Sequence, residues 1–215
     1  MIGPDAILWR DESLVAVLKP AGLLTIPGRT PGAPTLREEL ERLVGERLLV
    51  VHRLDRETSG VVVFARSEEA HRRLCLAFER REVEKRYLAW VAPGPVAPGG
   101  EIVQDLVPAR RGFVRVARAG EHGQRAVTGW TLLGPRGEGA LLELRPLTGR
   151  THQIRIALAE AGMPIVGEPH YRSPEGVRPR PGVRLFLHAH RLAFAQPATG
   201  EAVEIEAPPP RELER

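Results

Sequence analysis

The sequence predicts an α+β fold, with a mixed, largely antiparallel central sheet flanked by helices and loops. With 215 residues, the chain can bury one sizeable core. Its strand-like apolar runs outnumber its helix-like segments, and the two kinds do not alternate regularly along the chain. Regular alternation would instead favour a doubly wound parallel sheet. We therefore expect a single domain over residues 1–215.

Short apolar runs bounded by proline and glycine predict the strands. The final run alternates polar and apolar residues, which is typical of a half-exposed edge strand. We expect strands at 14–18, 47–51, 61–65, 85–91, 126–133 and 139–145, a hairpin or two strand segments at 184–194, and the edge strand at 201–207.

Helical periodicity predicts three helices. The first covers 35–44, where Thr35 at the N-cap and Glu38 three residues later predict a capping box. The second covers 68–82 and the third covers 151–161. Their apolar stripes consist of Ala70, Leu74, Ala77 and Phe78 in the second helix, and of Ile154, Ala157, Leu158 and Ala161 in the third.

The chain carries a net charge of +4, with 29 arginines and only two lysines, Lys19 and Lys85. The segments 106–125 and 172–184 hold five and four arginines, each against one acid. They are either solvated surface or contacts for phosphate, because clustered cations gain from counterion release on RNA. No apolar run approaches the ~20 residues of a membrane helix, and the N-terminus does not resemble a signal peptide. We expect a cytoplasmic protein without membrane contact.

The segment 51–60, VHRLDRETSG, places a cluster of charges between two apolar runs. In one interpretation Asp55 accepts hydrogen bonds in a tight turn closed by Thr58 and its neighbours. In a second, His52 and Asp55 bind a metal, although the chain offers no second cluster at ligand spacing. In a third, Asp55 is a rigidly held, ionised carboxylate for nucleophilic or base chemistry on a sugar or base ring.

A second cluster, RPLTGRTHQIR at 145–155, favours the catalytic interpretation. It places Arg150, His152 and Arg155 where a predicted strand gives way to a helix. Arg155 lies beside the apolar stripe of that helix, and a buried cation needs an acidic partner. Asp55 is the candidate partner, and such a pair would lower the pKa of its carboxyl.

Six blocks of the sequence resemble, in order, those of the RluA-type pseudouridine synthases. They span roughly residues 7–206 and are VLKPAGLLTIPG, HRLDRETSG, KRYLAWV, LLELRPLTGRTHQIR, GMPIVGEPHY and LFLHAHRLAF. The resemblance implies the pseudouridine synthase catalytic fold and the isomerisation of uridine to pseudouridine in structured ribosomal or transfer RNA. It implies no metal and no cofactor, and the chain shows neither a G-x-G-x-x-G motif nor a P-loop.

The resemblance also implies the roles of individual residues. Asp55 matches the catalytic aspartate and Arg155 its basic partner. Tyr87, in KRY, matches the tyrosine that stacks on the target uracil. Arg53 matches the arginine that fills the gap left by the flipped-out uridine.

The remaining candidates of the site fall into two groups. We expect His52, Arg150 and Lys85 to contact RNA together with Arg53. Ile154, Leu187 and His188 are expected to line the active site.

Two departures from the family pattern are visible. Many members have Gly-Asp where this chain has Gly167-Glu168, followed by Pro169. The chain also begins close to the first catalytic block, so we expect no S4-type RNA-binding domain and a catalytic domain that binds RNA by itself. A monomer is the default expectation.

Three other functions are open: a non-catalytic RNA-binding domain, an N-glycoside hydrolase and a plain phosphate-binding scaffold. The first is disfavoured by the presence of Asp55, Tyr87 and Arg155 together. Within the synthase interpretation, Asp55 either attacks the sugar or removes a proton from it.

Overall fold

The computed structural model describes residues 1–28, 32–173 and 183–214. Within these ranges it contains eleven strands and three α-helices, and most strand pairs are antiparallel. The predicted α+β class is confirmed. The chain divides into two compact units, Met1–Lys85 with His188–Pro209 and Arg86–Leu187 with Pro210–Arg215. That both units form one catalytic domain stays a prediction.

The elements of the first unit are β1 (Ile7–Arg10), β2 (Leu14–Lys19), α1 (Leu36–Val44), β3 (Leu49–Val50), β4 (Ser59–Ala65), α2 (Glu68–Glu79), β10 (Leu187–Ala195) and β11 (Ala202–Glu206). β10 belongs to this unit from His188 onward. In its sheet β4 is central, antiparallel to β2 on one side and parallel to β10 on the other. β1 extends the sheet beyond β2, and β11 extends it beyond β10. All seven residues of β4 are buried, which explains its uninterrupted apolar run.

Gly60 permits the parallel contact between β4 and β10. It has φ +122°, and a methyl group on its Cα would overlap with the backbone of Ala189. Only glycine accommodates both that backbone angle and so close an approach of two strands.

The first two helices begin where the sequence predicts. Thr35 caps α1, accepting from the Glu38 N–H while the Glu38 carboxylate accepts from the Thr35 N–H, so the predicted capping box is confirmed. Ser67 caps α2 through the N–H of Ala70. The prediction for α2 ran three residues too far, because the chain leaves the helix at Arg80 and Arg81 has φ +63°.

The second unit holds β5 (Glu84–Val91, from Arg86), β6 (Gly99–Pro108), β7 (Val114–Val116), β8 (Gln124–Arg136), β9 (Gly139–Pro146) and α3 (Gln153–Glu160). Its strands follow the order β5-β9-β8-β6-β7, and every pair is antiparallel. α3 is buried from Gln153 to Ala159, so the predicted single stripe was too narrow.

The strand prediction for 184–194 was wrong, and three strands, β1, β6 and β7, were not predicted. Within 184–194 there is one strand, β10, which starts at Leu187, instead of a hairpin or two segments, because no turn-forming residue interrupts it. β6 was not predicted, since its first residues Gly99 and Gly100 suggest a turn and most of its later side chains are exposed or half-buried.

Candidate active site

The main chain on the N-terminal side of Asp55 is held by one hydroxyl group. Asp55 is half-buried in the loop between β3 and β4. The buried Thr25 Oγ1 donates to the carbonyl of Leu54 (3.0 Å) and accepts from the N–H of the same residue (3.2 Å). Both polar groups of the residue before Asp55 are therefore satisfied by a single side chain.

The main chain on the C-terminal side of Asp55 is held by a buried lysine. Lys19 Nζ donates to the carbonyls of Arg56 (3.0 Å), Pro20 (2.9 Å) and Leu23 (2.7 Å). The N–H of Gly22 also donates to the Arg56 carbonyl (2.8 Å). Burial lowers the pKa of Lys19 to about 8, although the negative charges of Asp55 and Glu57 oppose that shift. This position suits a compact cation with three donors, consistent with the retention of lysine in an arginine-rich chain.

The loop then turns directly into β4. The Thr58 N–H donates to the backbone carbonyl of Asp55 (3.1 Å), so the turn is closed by the main chain. Arg53, two residues before Asp55, is exposed. The loop thus presents an exposed cation and a half-buried carboxylate from a backbone that is fixed on both sides.

His52 contacts the sheet and a helix. Its Nε2 accepts from the N–H of Val63 (3.0 Å), so the imidazole is neutral with its proton on Nδ1. The ring stacks on Phe78 with centroids 4.7 Å apart. Burial, followed by the positive charge of Lys85, lowers the pKa of His52 to about 3. This geometry holds the loop against β4 and α2, and an RNA contact by His52 stays a prediction.

His188 contacts two elements of the first unit. Its Nδ1 lies 2.9 Å from Ser59 Oγ at the start of β4, and its Nε2 lies 3.2 Å from the carbonyl of Ala207 beyond β11. A carbonyl only accepts, so Nε2 carries the proton and Nδ1 accepts from the Ser59 hydroxyl. The side chain is buried, and its role in lining the active site stays a prediction.

In the second unit Arg155 forms a buried, bidentate ion pair with Glu168. Arg155 Nε lies 2.7 Å from Oε2 and Nη2 lies 2.8 Å from Oε1, with side-chain exposures of 4% and 0%. Burial by itself raises the pKa of Glu168, but Arg155 and the N–H groups of His170 and Tyr171 outweigh it and lower the pKa. The pair uses two of the five N–H donors of the guanidinium.

Sequence reasoning did not assign Glu168 as an acidic partner of Arg155. It recorded Glu168 only as a departure from Gly-Asp within a loop. The signal that could have found it is that a buried arginine needs an acidic partner, so that each acid in the chain, Glu168 included, was a candidate. The predicted pairing of Arg155 with Asp55, which lies in the other unit, stays a prediction.

Gln153 is a further residue that sequence reasoning missed. Its Oε1 accepts from Thr148 Oγ1 (2.6 Å) and from the Arg150 N–H (3.0 Å), and its Nε2 donates to the carbonyl of Val127 (2.9 Å) and to Thr128 Oγ1 (3.0 Å). This buried amide therefore ties the turn before α3 to β8. An amide with four partners of matching kind suits a buried site where each polar atom must be satisfied.

His152, at the N-cap of α3, has φ +51°, and its ring packs against aromatic rings. Its Nδ1 lies 2.8 Å from the Tyr171 hydroxyl, which accepts from the N–H of Val114 (3.3 Å). The Phe113 ring packs against His152 and Tyr171, and the guanidinium of Arg155 lies 5.5 Å from the centre of the Tyr171 ring. A left-handed non-glycine residue is strained and often marks a functional site.

The other predicted residues occupy varied environments. Tyr87 is half-buried in β5, opposite Leu144 of β9, and packs against the apolar core of the second unit. Ile154 and Leu187 belong to that core. Lys85 is half-buried, and burial followed by the charge of Arg81 lowers its pKa.

Only part of the two basic segments can be placed. In 106–125, Arg115 forms an exposed bidentate pair with Glu121 (2.6 and 2.7 Å). Arg150, which is half-buried and lies outside that segment, has its Nε 3.4 Å from the carbonyl oxygen of Arg125, which lies within it. Most of the segment 172–184, namely 174–182, lies outside the described residues.

No set of three or more His, Cys, Asp and Glu side chains in 1–28, 32–173 and 183–214 is arranged to hold a metal ion. None of the helices in the same ranges has the length and apolar character to cross a membrane.

Comparison with known proteins gives a consistent result. A family profile described as RNA pseudouridylate synthase matches residues 13–160. The dual-specificity RNA pseudouridine synthase RluA of Escherichia coli is 35% identical over 210 residues, which cover 94% of this chain and 92% of that protein. The ribosomal large subunit pseudouridine synthase D of Xanthomonas campestris is 35% identical over 227 residues, which cover 99% of this chain and 68% of that protein.

Solved structures also match nearly the whole chain. The human RNA pseudouridylate synthase domain containing 4 has a TM-score of 0.76 and 28% identity, covering 97% of this chain and 90% of its own. The human RNA pseudouridylate synthase domain containing 1 has a TM-score of 0.79 and 27% identity, covering 97% of this chain and 86% of its own. Family profile, identity and fold agree, and they confirm the family that the sequence blocks indicate. The chain belongs to the RNA pseudouridylate synthases, as an RluA-type isomerase that acts on RNA.

Proposed function

We propose that Asp55 is the catalytic carboxylate of this enzyme and that the substrate is uridine in structured ribosomal or transfer RNA. The observation that carries the proposal is the anchoring of the loop. Thr25 holds the residue before Asp55, and Lys19 with Gly22 holds the residue after it. A group whose backbone is already fixed loses little freedom when it engages a transition state.

The reaction requires few catalytic groups. The N1–C1′ bond breaks, the uracil turns, and C5 bonds to C1′, while the C5 proton leaves and N1 gains one. Asp55 either attacks the sugar or removes a sugar proton as the glycosidic bond breaks. No electron is transferred to an acceptor, so the proposed residues suffice without a redox group.

Tyr87 is proposed to hold the detached uracil. The apolar core against which it packs supports the ring, so an aromatic face can be presented rigidly. Stacking tolerates rotation in the plane of the base, whereas hydrogen bonds would fix one orientation. Arg53 is proposed to fill the vacancy left by the flipped uridine, and its exposure supports that role.

The remaining assignments complete the proposal. We propose that Arg155 pairs with Asp55 and keeps it ionised, and that Arg150 and Lys85 contact the RNA backbone. We also propose that the enzyme acts in the cytoplasm as a monomer. Size-exclusion chromatography with light scattering tests the last point, and a dimer at assay concentration would contradict it.

Release of tritium from RNA that carries 5-³H-uridine tests the central proposal, because the C5 proton is lost only when pseudouridine forms. Ribosomal and transfer RNA transcripts serve as separate substrates. Asp55→Asn is expected to abolish release while its RNA affinity, measured by filter binding, stays within about threefold of wild type. Glu57→Gln, a neighbouring acid in the same loop, is the matched control and is expected to remain active.

Three outcomes discriminate between functions. Residual turnover by Asp55→Asn would contradict its catalytic role. Release of free uracil would support an N-glycoside hydrolase instead. RNA binding without product on either transcript would favour a non-catalytic RNA-binding domain, and pseudouridine mapping of RNA from a deletion strain would then decide.

A further inference from the structure

We propose that Glu168 is a positioning residue, which acts on the reaction by fixing the orientation of the Arg155 guanidinium. The inference deepens the proposed function and rests on it, because it takes Arg155 to be the partner of Asp55. It assigns a role to the position where this chain departs from the family pattern.

The geometry of the ion pair fixes the orientation of the guanidinium. Two parallel contacts, Nε to Oε2 at 2.7 Å and Nη2 to Oε1 at 2.8 Å, define the plane of the guanidinium. A single contact would leave the group free to rotate about the line that joins the two atoms, whereas a bidentate contact removes that rotation. Arg155 and Glu168 are both almost fully buried, so water does not compete for these donors.

Glu168 is also held independently of Arg155. Its Oε1 also accepts from the N–H groups of His170 (2.9 Å) and Tyr171 (3.2 Å). Pro169 has no N–H to offer, so the two residues that follow it supply both donors. The carboxylate is therefore fixed by its own chain segment before the guanidinium contacts it.

The segment that carries Glu168 is anchored to its neighbours in the second unit. Gly167 has φ +82°, and a methyl group on its Cα would overlap with the carbonyl of Arg184. The N–H of Val166 donates to the Trp90 carbonyl (2.8 Å), and the Val166 carbonyl accepts from the Phe186 N–H (3.0 Å). The carboxylate thus lies on a rigid part of the second unit, as the support of a catalytic cation requires.

A purely structural role would be the neutralisation of the buried Arg155 charge. The two roles differ in what they predict for catalysis. Neutralisation changes the free energy of unfolding, whereas positioning changes the rate of the chemical step in protein that remains folded. A double-mutant cycle separates them, since a residue that acts through Arg155 has no further effect once the bidentate contact is lost.

The experiment measures single-turnover tritium release and RNA affinity for the full chain. Glu168→Gln keeps the size of the side chain but turns an N–H₂ group toward a donor of Arg155. We expect its rate constant to fall about 100-fold, as for a misplacement of about 1 Å, with RNA affinity within about threefold. Glu168→Asp keeps the carboxylate and is expected to lose about 3- to 10-fold. The rates are normalised to the folded fraction from circular dichroism.

The cycle uses Arg155→Lys, which keeps the charge but cannot form the bidentate contact. In that background Glu168→Gln is expected to lower the rate by less than about threefold. Equal losses in both backgrounds would overturn the proposal. If Glu168→Gln does not fold, the same cycle with Glu168→Asp decides in the same way.

A second pair in the chain provides the matched control. Glu46 accepts from Arg66 Nε (2.9 Å) and Nη2 (3.2 Å), a bidentate contact in the first unit. Glu46→Gln is expected to leave the rate within about twofold of wild type. Failure of the proposed function would appear as a wild type that releases no tritium, which overturns both proposals. If this inference alone fails, wild type releases tritium and Glu168→Gln releases it with the same rate constant.

Discussion

The Thr25 hydroxyl contacts both backbone polar groups of Leu54, the residue before Asp55. It donates to the carbonyl (3.0 Å) and accepts from the N–H (3.2 Å). Thr25 is separated from Leu54 by 29 residues, so this contact joins two distant loops. The placement of the proposed catalytic carboxylate therefore depends on a side chain outside its own motif.

Replacing Thr25 tests that dependence. Thr25→Val keeps the shape of the side chain but leaves two buried backbone groups without a partner. We expect the free energy of unfolding to fall by about 1–3 kcal/mol and tritium release to slow at least tenfold. Thr25→Ser retains the hydroxyl and is the control. Urea denaturation and the release assay measure both effects, and a fully active Thr25→Val would show that Leu54 needs no such contact.

The contact between β4 and β10 predicts that Gly60 tolerates no side chain. Gly60→Ala forces a methyl group onto the backbone of Ala189 at a positive φ. We expect a loss of about 3 kcal/mol or more in the free energy of unfolding, measured by thermal or urea denaturation. Gly134→Ala is the matched control, because the space around that residue is open, and it should change stability by less than about 1 kcal/mol. Similar losses in the two variants would contradict the argument.

The lowered pKa of His52 predicts that the free energy of unfolding depends on pH. Its pKa is lowered to about 3 in the folded protein, whereas an unfolded histidine titrates near 6.5. Below about pH 6.5 the unfolded chain therefore binds a proton that the folded chain does not. The stability that His52 contributes is present above that pH and is lost as the pH falls.

The size of the effect is measurable with a variant. Between pH 7 and pH 5 we expect His52 to account for about 1–2 kcal/mol of lost stability, the lower value reflecting its partial exposure. His52→Gln, which can still accept from the Val63 N–H, should show a smaller loss over this range in urea denaturation. The exposed His122→Gln is the control and should follow wild type. If the free energy of unfolding depends on pH in the same way in wild type and His52→Gln, the prediction is wrong.

Replacing Tyr87 tests the contribution of its aromatic ring separately from that of its hydroxyl. Tyr87→Phe keeps the aromatic face, so RNA affinity should be unchanged, and any loss of rate measures the contribution of the hydroxyl. Tyr87→Leu removes the face, and because base stacking contributes about 1–3 kcal/mol, RNA affinity should weaken by about 5- to 100-fold. Filter binding and tritium release measure the two quantities. Unaltered affinity in Tyr87→Leu, with a steep salt dependence, would favour a plain phosphate-binding scaffold.

Some features of this protein follow from local sequence. The capping box of α1 depends on Thr35 and Glu38, three residues apart, and the buried β4 depends on an unbroken run of β-branched and aromatic residues. The family resemblance is equally local, since each block is a short string whose order along the chain can be read directly. Such features are predictable because the interacting groups are neighbours in the chain.

Other features were beyond local reasoning. Strand β6 is not strongly apolar, because most of its side chains are exposed or half-buried, and it becomes a strand only through pairing with β8 and β7. The segment 184–194 was predicted as a hairpin or two strand segments, since the sequence does not show that β10 pairs with β4 at His188 and Ala189 and with β11 from Arg191 to Ala195.

The sequence by itself determined the α+β class and the family, and it named the candidate residues of the active site, because periodicity, turn residues and motif order are properties of neighbouring positions. Only the tertiary structure decided which groups hold them in place. Lys19 contacts Arg56, Thr25 contacts Leu54 and Glu168 contacts Arg155 across 13 to 37 residues of chain. The physical reason is that a buried polar group takes whichever partner the packed chain brings within about 3 Å, and separation along the sequence does not specify that distance.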